Sequence, residues 1–274
     1  MLGTVEGWQK VFFLIGLSGL LVVPLVLLTL SEPLRRGFVR SQPGGDGTAL
    51  PLREVAAYAR ANWKVLATHD VGFALLSFSS YGSGAWLPEM FKRVHGWDAV
   101  SFGLVYGLVV FIGSASGAIS GGVIADRLAR WGYRDSKVRV GWMAAWAWLP
   151  FGVSFPLIDN GSVAIVVIVP AAFLASMPFG VAPAALQEMV PNNLRGQISA
   201  IYLCVVNLIG LAIGPLALAL CTDYLFTEAR FGLSGIRRSL LSTTTAAHVA
   251  AAGLLWVGMS EFEKALDRRD VPSG

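Results

Sequence analysis

Apolar residues in this chain are gathered into seven long runs: Val11 to Leu30, Val71 to Pro88, Ala99 to Ala125, Val140 to Ile158, Ser162 to Gln187, Gly196 to Thr222 and Ser239 to Ser260. Short polar segments separate them. Each run is nearly uncharged and long enough to cross about 30 Å of hydrocarbon as a helix, whose backbone satisfies its own hydrogen bonds where water is absent. The alternation of a membrane barrel strand is missing. The pattern therefore predicts an all-α membrane protein with seven transmembrane helices, the first set apart from the other six by a long basic linker.

The linker, residues 31–66, opens with the flexible stretch Gln42-Pro43-Gly44-Gly45-Asp46-Gly47. Beyond Pro51 it becomes helix-forming, with Leu52, Val55, Ala56 and Ala59 on one face, as expected of a helix lying along a membrane surface. Residues 67–260 are expected to form the six-helix bundle and residues 261–274 a tail. The first run is a retained helix and not a signal peptide, because Ser31-Glu32-Pro33 offers no small-residue cleavage site and arginines follow it.

Composition agrees with this organisation. Of 274 residues 55% are hydrophobic and 14% charged, against about a quarter charged in soluble domains, which excludes a single water-soluble core. Arg35, Arg36, Arg40, Arg53, Arg60 and Lys64 fall between runs one and two, and Arg127, Arg130, Arg134, Lys137 and Arg139 between runs three and four. Arg195, Lys264, Arg268 and Arg269 fall on the same side. The positive-inside bias places the N-terminus outside and the C-terminus in the cytoplasm of a cell or inner membrane. No basic helix interleaves aromatics, so the net charge of +4 does not point to nucleic acid. Cys204 and Cys221 fit no metal-ligand spacing and read as packing residues. No metal or cofactor site is expected. Neither a Ser/His/Asp set nor a phosphate loop is present, which argues against an enzyme.

Polar residues inside the runs carry the candidate chemistry. In the second run Asp70, Ser77, Tyr81, Gly84 and Pro88 share a narrow arc at about 100° per residue. Two readings fit: close helix packing with Asp70 at the wetter end, or a cavity-lining helix on which Ser77 and Tyr81 meet solute and Asp70 couples charge or protons. The third run places Gly103, Gly107, Gly113, Ser114, Gly117 and Gly121 on one face, as close helix contact requires. Pro170, Pro178 and Pro183 predict that the fifth run breaks its hydrogen-bond ladder more than once. In the sixth run Asn207 shares an arc with Ala200, Leu203, Gly210 and Gly214, and serves either a neighbouring helix or a solute. His248 in the seventh reads as a neutral, hydrogen-bonded residue or as a functional one.

Between the third and fourth runs stands Gly121-Gly122-Val123-Ile124-Ala125-Asp126-Arg127-Leu128-Ala129-Arg130. Gly122 is expected to let a neighbouring backbone approach, Asp126 to cap or pair with a helix N-terminus, and Arg127 and Arg130 to seek carboxylates. Gly122, Asp126, Arg127 and Arg130 resemble the loop signature of the major facilitator superfamily, in its weaker second copy; Ala129 and Trp131 depart from it. Gly7-Trp8-Gln9-Lys10-Val11-Phe12, Gly16, Gly19 and Glu32-Pro33-Leu34-Arg35-Arg36 resemble that superfamily's sixth helix and the start of its central loop. Pro191, Leu194-Arg195-Gly196, Asn207, Gly210, Gly214-Pro215 and Asp223 are similar to its eleventh helix in the spinster-like and organic-anion branches.

The resemblance implies a fold in which this chain supplies helix six, the central loop and the six-helix C-terminal bundle. Solute then binds between two halves near the midplane, and alternating access rocks one half over the other. It makes Gly122, Asp126, Arg127 and Arg130 a gating loop, and Ser77, Tyr81 and Asn207 part of a pathway for a small organic solute. The loop's partner belongs to a first half, so the chain is expected to need a missing N-terminal half or a second copy. A seven-helix receptor is a rival reading, disfavoured by the long first inner loop. A non-transporting half that binds another membrane protein is a second.

Overall fold

The computed structural model describes residues 7–29 and 51–270, and every regular element among them is helical. The flexible stretch expected at 42–47 lies outside the described residues. Two compact units divide the chain, Met1–Ala49 and Leu50–Gly274. In the first, α1 (Gly7–Thr29) is almost wholly apolar beyond Lys10. Its two hydroxyls turn back onto the helix, Ser18 Oγ donating to the Ile15 carbonyl at 2.8 Å and Thr29 Oγ1 to that of Leu25.

The second unit contains α2 (Leu52–Ala61), α3 (Trp63–His95), α4 (Ala99–Arg130), α5 (Ser136–Ser154), α6 (Gly161–Met189), α7 (Arg195–Val206), α8 (Gly214–Leu220), α9 (Glu228–Phe231) and α10 (Ser234–Asp270). A π-helical turn, Asn207–Ile213, joins α7 to α8, and a second, Cys221–Leu225, follows α8. Among the described residues five stretches are long and apolar enough to cross a membrane: α1, α4, α6, α10 and the α7–α8 rod, Arg195–Leu225. The expected count of seven is therefore met by five. α3 buries His69, Asp70, Ser77, Ser79 and Ser83, and α5 opens on Ser136, Lys137 and Arg139, which dilutes the apolar character of both.

Local signals set the helix ends. Gly96 ends α3 in the left-handed region at φ 68°, where a side chain is strained. Two residues on, the Asp98 carboxylate accepts the Val100 and Ser101 N–H groups at 3.0 Å each and caps α4. Hydrogen bonds from Ser101 and Val100 hold its carboxyl below the usual carboxylate range. Asn160 caps α6 in the same way, accepting from Ser162 at 2.9 Å and Val163 at 3.2 Å.

Polar ties close both ends of the bundle over two apolar clusters. At one end His95 Nδ1–H donates to the Asp159 carbonyl at 3.1 Å, and Arg237 meets the Asp159 carboxylate at 2.7 Å. The cluster beneath includes Phe91, Phe102, Trp148 and Leu240. At the other end Lys137 pairs with Glu188, Arg134 with Asp267, and Tyr58 donates to the Met189 carbonyl at 3.0 Å. Phe73, Ala182, Tyr202 and Phe262 fill that end. The face of α2 that packs is Val55, Tyr58 and Ala59, whereas Leu52 and Ala56, expected on the apolar side, are exposed. α3 already begins at Trp63, within the stretch expected as linker.

Glycines set the closest helix contacts. A Cβ at Gly121 would lie 2.6 Å from the Met177 carbonyl oxygen, and one at Gly117 would strike that of Phe173. On α6, Gly180 reciprocates against the Ala118 carbonyl at 2.7 Å. Packing of this kind is the main attraction between helices in lipid. Gly103 and Gly107 face open space, so the expected glycine face is used over only part of its length. α6 is continuous through Pro170, Pro178 and Pro183, contrary to the expected breaks. Each proline deletes one donor, but the helix is held along α4, and Ser176 Oγ donates to the Ala172 carbonyl at 2.7 Å. The irregular turn falls instead at Asn207–Ile213, just ahead of Pro215, which cannot offer an N–H to the Leu211 carbonyl.

Candidate functional site

α3 carries the run Ser77-Phe78-Ser79-Ser80-Tyr81-Gly82-Ser83-Gly84. Gly82 on α3 and Gly214 on α8 let the two helices approach: a Cβ on Gly82 would lie 2.9 Å from Leu218 Cδ1 and one on Gly214 2.8 Å from the Phe78 carbonyl oxygen. Trp86 Nε1–H adds a 3.0 Å bond to the Pro215 carbonyl. With that side of α3 sealed, its other side borders a cavity of about 360 Å³ shared with α4, α5 and α6. Ser80, Ser83, Tyr81, Tyr106, Ser114 and Ser176 supply its hydroxyls, Trp148, Phe155 and Phe179 its aromatic walls, and no charged side chain lines it. Among the described residues the buried Oγ atoms of Ser80 and Ser83 have no hydrogen-bond partner. A hydroxyl out of water without a partner costs free energy that a bound solute can recover.

The expected pathway residues occupy different places. Tyr81 lines the cavity and sets its ring edge-on to Phe179, centroids 6.3 Å apart. Ser77 is buried one turn earlier, donates to the Phe73 carbonyl at 3.1 Å and packs against Gly210. Asn207 is exposed and donates from Nδ2 to the Leu203 carbonyl of its own helix at 2.7 Å. Tyr106, Trp148 and Ser176 escaped the sequence reading, since each is an isolated polar or aromatic residue on a separate helix, and Ser114, expected on the packing face of the third run, lines the cavity instead. Ser79, Ser80 and Ser83 were missed as well, although their clustering beside Tyr81 in the sequence was a signal for them.

Asp70 is buried within the protein. Its Oδ1 lies 2.8 Å from His69 Nδ1, while His69 Nε2 lies 3.0 Å from the Ala182 carbonyl oxygen on α6. The His69 ring is edge-on to Phe73 and tilted toward Tyr202 of α7, with centroids 4.9 and 5.4 Å away. The adjacent pair His69-Asp70 was the signal for this contact. His248 stacks flat on Trp148, centroids 3.8 Å apart, and its Nδ1–H donates to the Thr244 carbonyl.

The four loop residues lie on the last turns of α4. Asp126, Arg127 and Arg130 are exposed, and Asp126 has no hydrogen bond or ion pair among the described residues. A Cβ on Gly122 would meet open space, so the close backbone approach expected there falls one residue earlier, at Gly121. Arg195 Nε donates to the Val190 carbonyl at 3.2 Å, and Gly196 is open. Cys204 is exposed and Cys221 half-buried, both as free thiols, so Cys204 does not pack as expected. Among the described residues no group of three or more His, Cys, Asp or Glu could hold a metal ion.

A helical bundle of apolar rods around an uncharged cavity is the architecture of a multi-pass membrane protein. Residues 1–215 match the Major Facilitator Superfamily model, and the chain belongs to that family. It is 26% identical over 279 residues to an MFS-type efflux pump of Mycolicibacterium smegmatis, covering 97% of this chain and 58% of the pump. It is 29% identical over 171 residues to the uncharacterized transporter YybO of Bacillus subtilis, covering 60% of this chain and 38% of YybO. In fold it resembles a bacterial homolog of the human lysosomal transporter Spinster in its inward-facing, unoccupied conformation, at a TM-score of 0.68 and 21% identity, covering 95% of this chain and 60% of that one. The occupied inward-facing form of the homolog gives a TM-score of 0.56. The chain thus spans at most about three-fifths of the length of these relatives.

Proposed function

We propose that this chain is the C-terminal portion of an alternating-access secondary transporter for a small, uncharged organic solute, with α3 and α5 also crossing the membrane. The cavity carries the reading: its walls are aromatic and aliphatic, its polar groups are hydroxyls, and two of those are buried without partners. Such a site orients a solute by a few hydrogen bonds while apolar contact supplies most of the affinity. In this reading α1 is the last helix of the first half and residues 31–66 are the cytoplasmic linker. The C-terminus lies in the cytoplasm, and Asp70 couples a proton or charge to transport. The exposed Asp126, Arg127 and Arg130, with Gly122, form the gating loop that meets the other half, or a second copy.

The test uses the complete transporter in proteoliposomes. Tyr81→Phe and the double change Ser80→Ala with Ser83→Ala are expected to raise KM by about tenfold, as loss of one or two hydrogen bonds implies. Asp126→Ala is expected to lower the transport rate while membrane insertion is unchanged. Wild-type transport in all three variants overturns the assignment.

A further inference from the structure

Both nitrogens of the His69 ring face oxygens. The Ala182 carbonyl accepts only, so Nε2 must carry a proton to make its 3.0 Å contact. Nδ1, 2.8 Å from Asp70 Oδ1, then has two possibilities. It carries a second proton and donates to an ionised carboxylate, or it is bare and accepts from a protonated one. The two arrangements hold the same number of protons, and the pair is electrically neutral in each. Neutral histidine beside ionised aspartate is one proton short, and one of the two contacts then sets a lone pair against an oxygen. Both residues are buried, at 2% and 6% exposure, so water cannot relieve that conflict.

We propose that His69 and Asp70 form a proton-binding pair that ties α3 to α6 when the proton is present and frees α6 when it leaves. On deprotonation the proton passes to water and the pair is left with one negative charge. The remaining imidazole proton is drawn to the carboxylate, because a hydrogen bond to an ionised acceptor is about twice as strong as one to a carbonyl. Nε2 is then bare and its contact with Ala182 is lost. Ala182 sits between Pro178 and Pro183, where the α6 ladder lacks two donors. Among the described residues the titratable group that faces the pair is the Tyr202 phenol of α7. α6 presents the Ala182 carbonyl; α5 sets Gly141 against Phe73, and α10 sets Leu255 against Gly72 and Gly258 against Thr68. Use of this proton in coupling rests on the transporter reading above, whereas its presence does not.

The purified chain with ¹⁵N-labelled imidazoles tests the pair directly. Three histidines give three sets of signals, which His95→Asn and His248→Asn assign. Scanned from about pH 4 to about pH 9, the pair is expected to lose one proton in a single step, after which the His69 ring keeps its remaining proton on Nδ1 and none on Nε2. Amide exchange in residues 179–187 should become about tenfold faster across the same step, the scale of one lost hydrogen bond. Asp70→Asn should abolish both effects, because the Asn amide donates to Nδ1 and leaves Nε2–H on Ala182 at every pH. An Nε2 without a proton at the acid end overturns the proposal in the wild-type chain alone, whatever the variant's folding. So does exchange in 179–187 that stays constant through the step, or a step that persists in Asp70→Asn. Transport by the complete protein that is independent of pH, with the titration intact, removes the coupling reading and leaves the proton pair standing.

Discussion

Gly121 and Gly122 are neighbours in sequence and opposites in environment. The first lies against the Met177 backbone and the second against nothing. Gly121→Val is therefore expected to destabilise the bundle by about 2 kcal/mol, through forced separation of α4 and α6. Gly122→Ala should stabilise it by about 0.5–1 kcal/mol, since alanine is the better helix former where there is room. Thermal unfolding of both variants in detergent reads the difference, and equal midpoints would dispose of the seam. At this scale the sequence was half legible. Spacing collected the glycines onto one face but could not say how far α6 runs along it, because a crossing angle limits contact length and no residue encodes that angle alone. His69 was missed for a similar reason: successive helix positions point about 100° apart, so a wheel does not pair them.

The α7–α8 rod shows where a uniform helical period fails. At a constant turn angle Ala200, Leu203, Asn207, Gly210 and Gly214 share an arc, yet the first three are exposed and the last two buried. The π turn at Asn207–Ile213 holds more residues per turn and resets the phase between them. The sequence contained its cause, Gly214-Pro215, but three prolines in α6 were the louder signal and left that helix continuous. Pro215→Ala restores an N–H for the Leu211 carbonyl, so the turn should relax toward α-helix with no loss of thermal stability. The Gly210 contact with Ser77 and Tyr81 would shift with it. Circular dichroism should therefore report a folded protein whose transport, in the complete transporter, is impaired; full transport would mean that the turn is incidental.

Across the whole molecule, the all-helical character was readable because apolar runs are local, while the cavity was not, because its walls come from four helices distant in sequence. Those walls differ in kind. On one side α4 and α6 meet backbone to backbone at Gly117, Gly121 and Gly180, with no slack to give up. Across from them α3 leans on a rod interrupted by two π turns. Room for a bulkier cargo can be made on the yielding side alone. Selection of the complete transporter for a larger solute should therefore gather substitutions around Gly210, Gly214 and Pro215 and leave Gly117 and Gly121 untouched. Sequencing the survivors would show it, and changes spread evenly over both walls would count against it. The capacity of this protein to acquire new cargoes would then reside in its least regular helix.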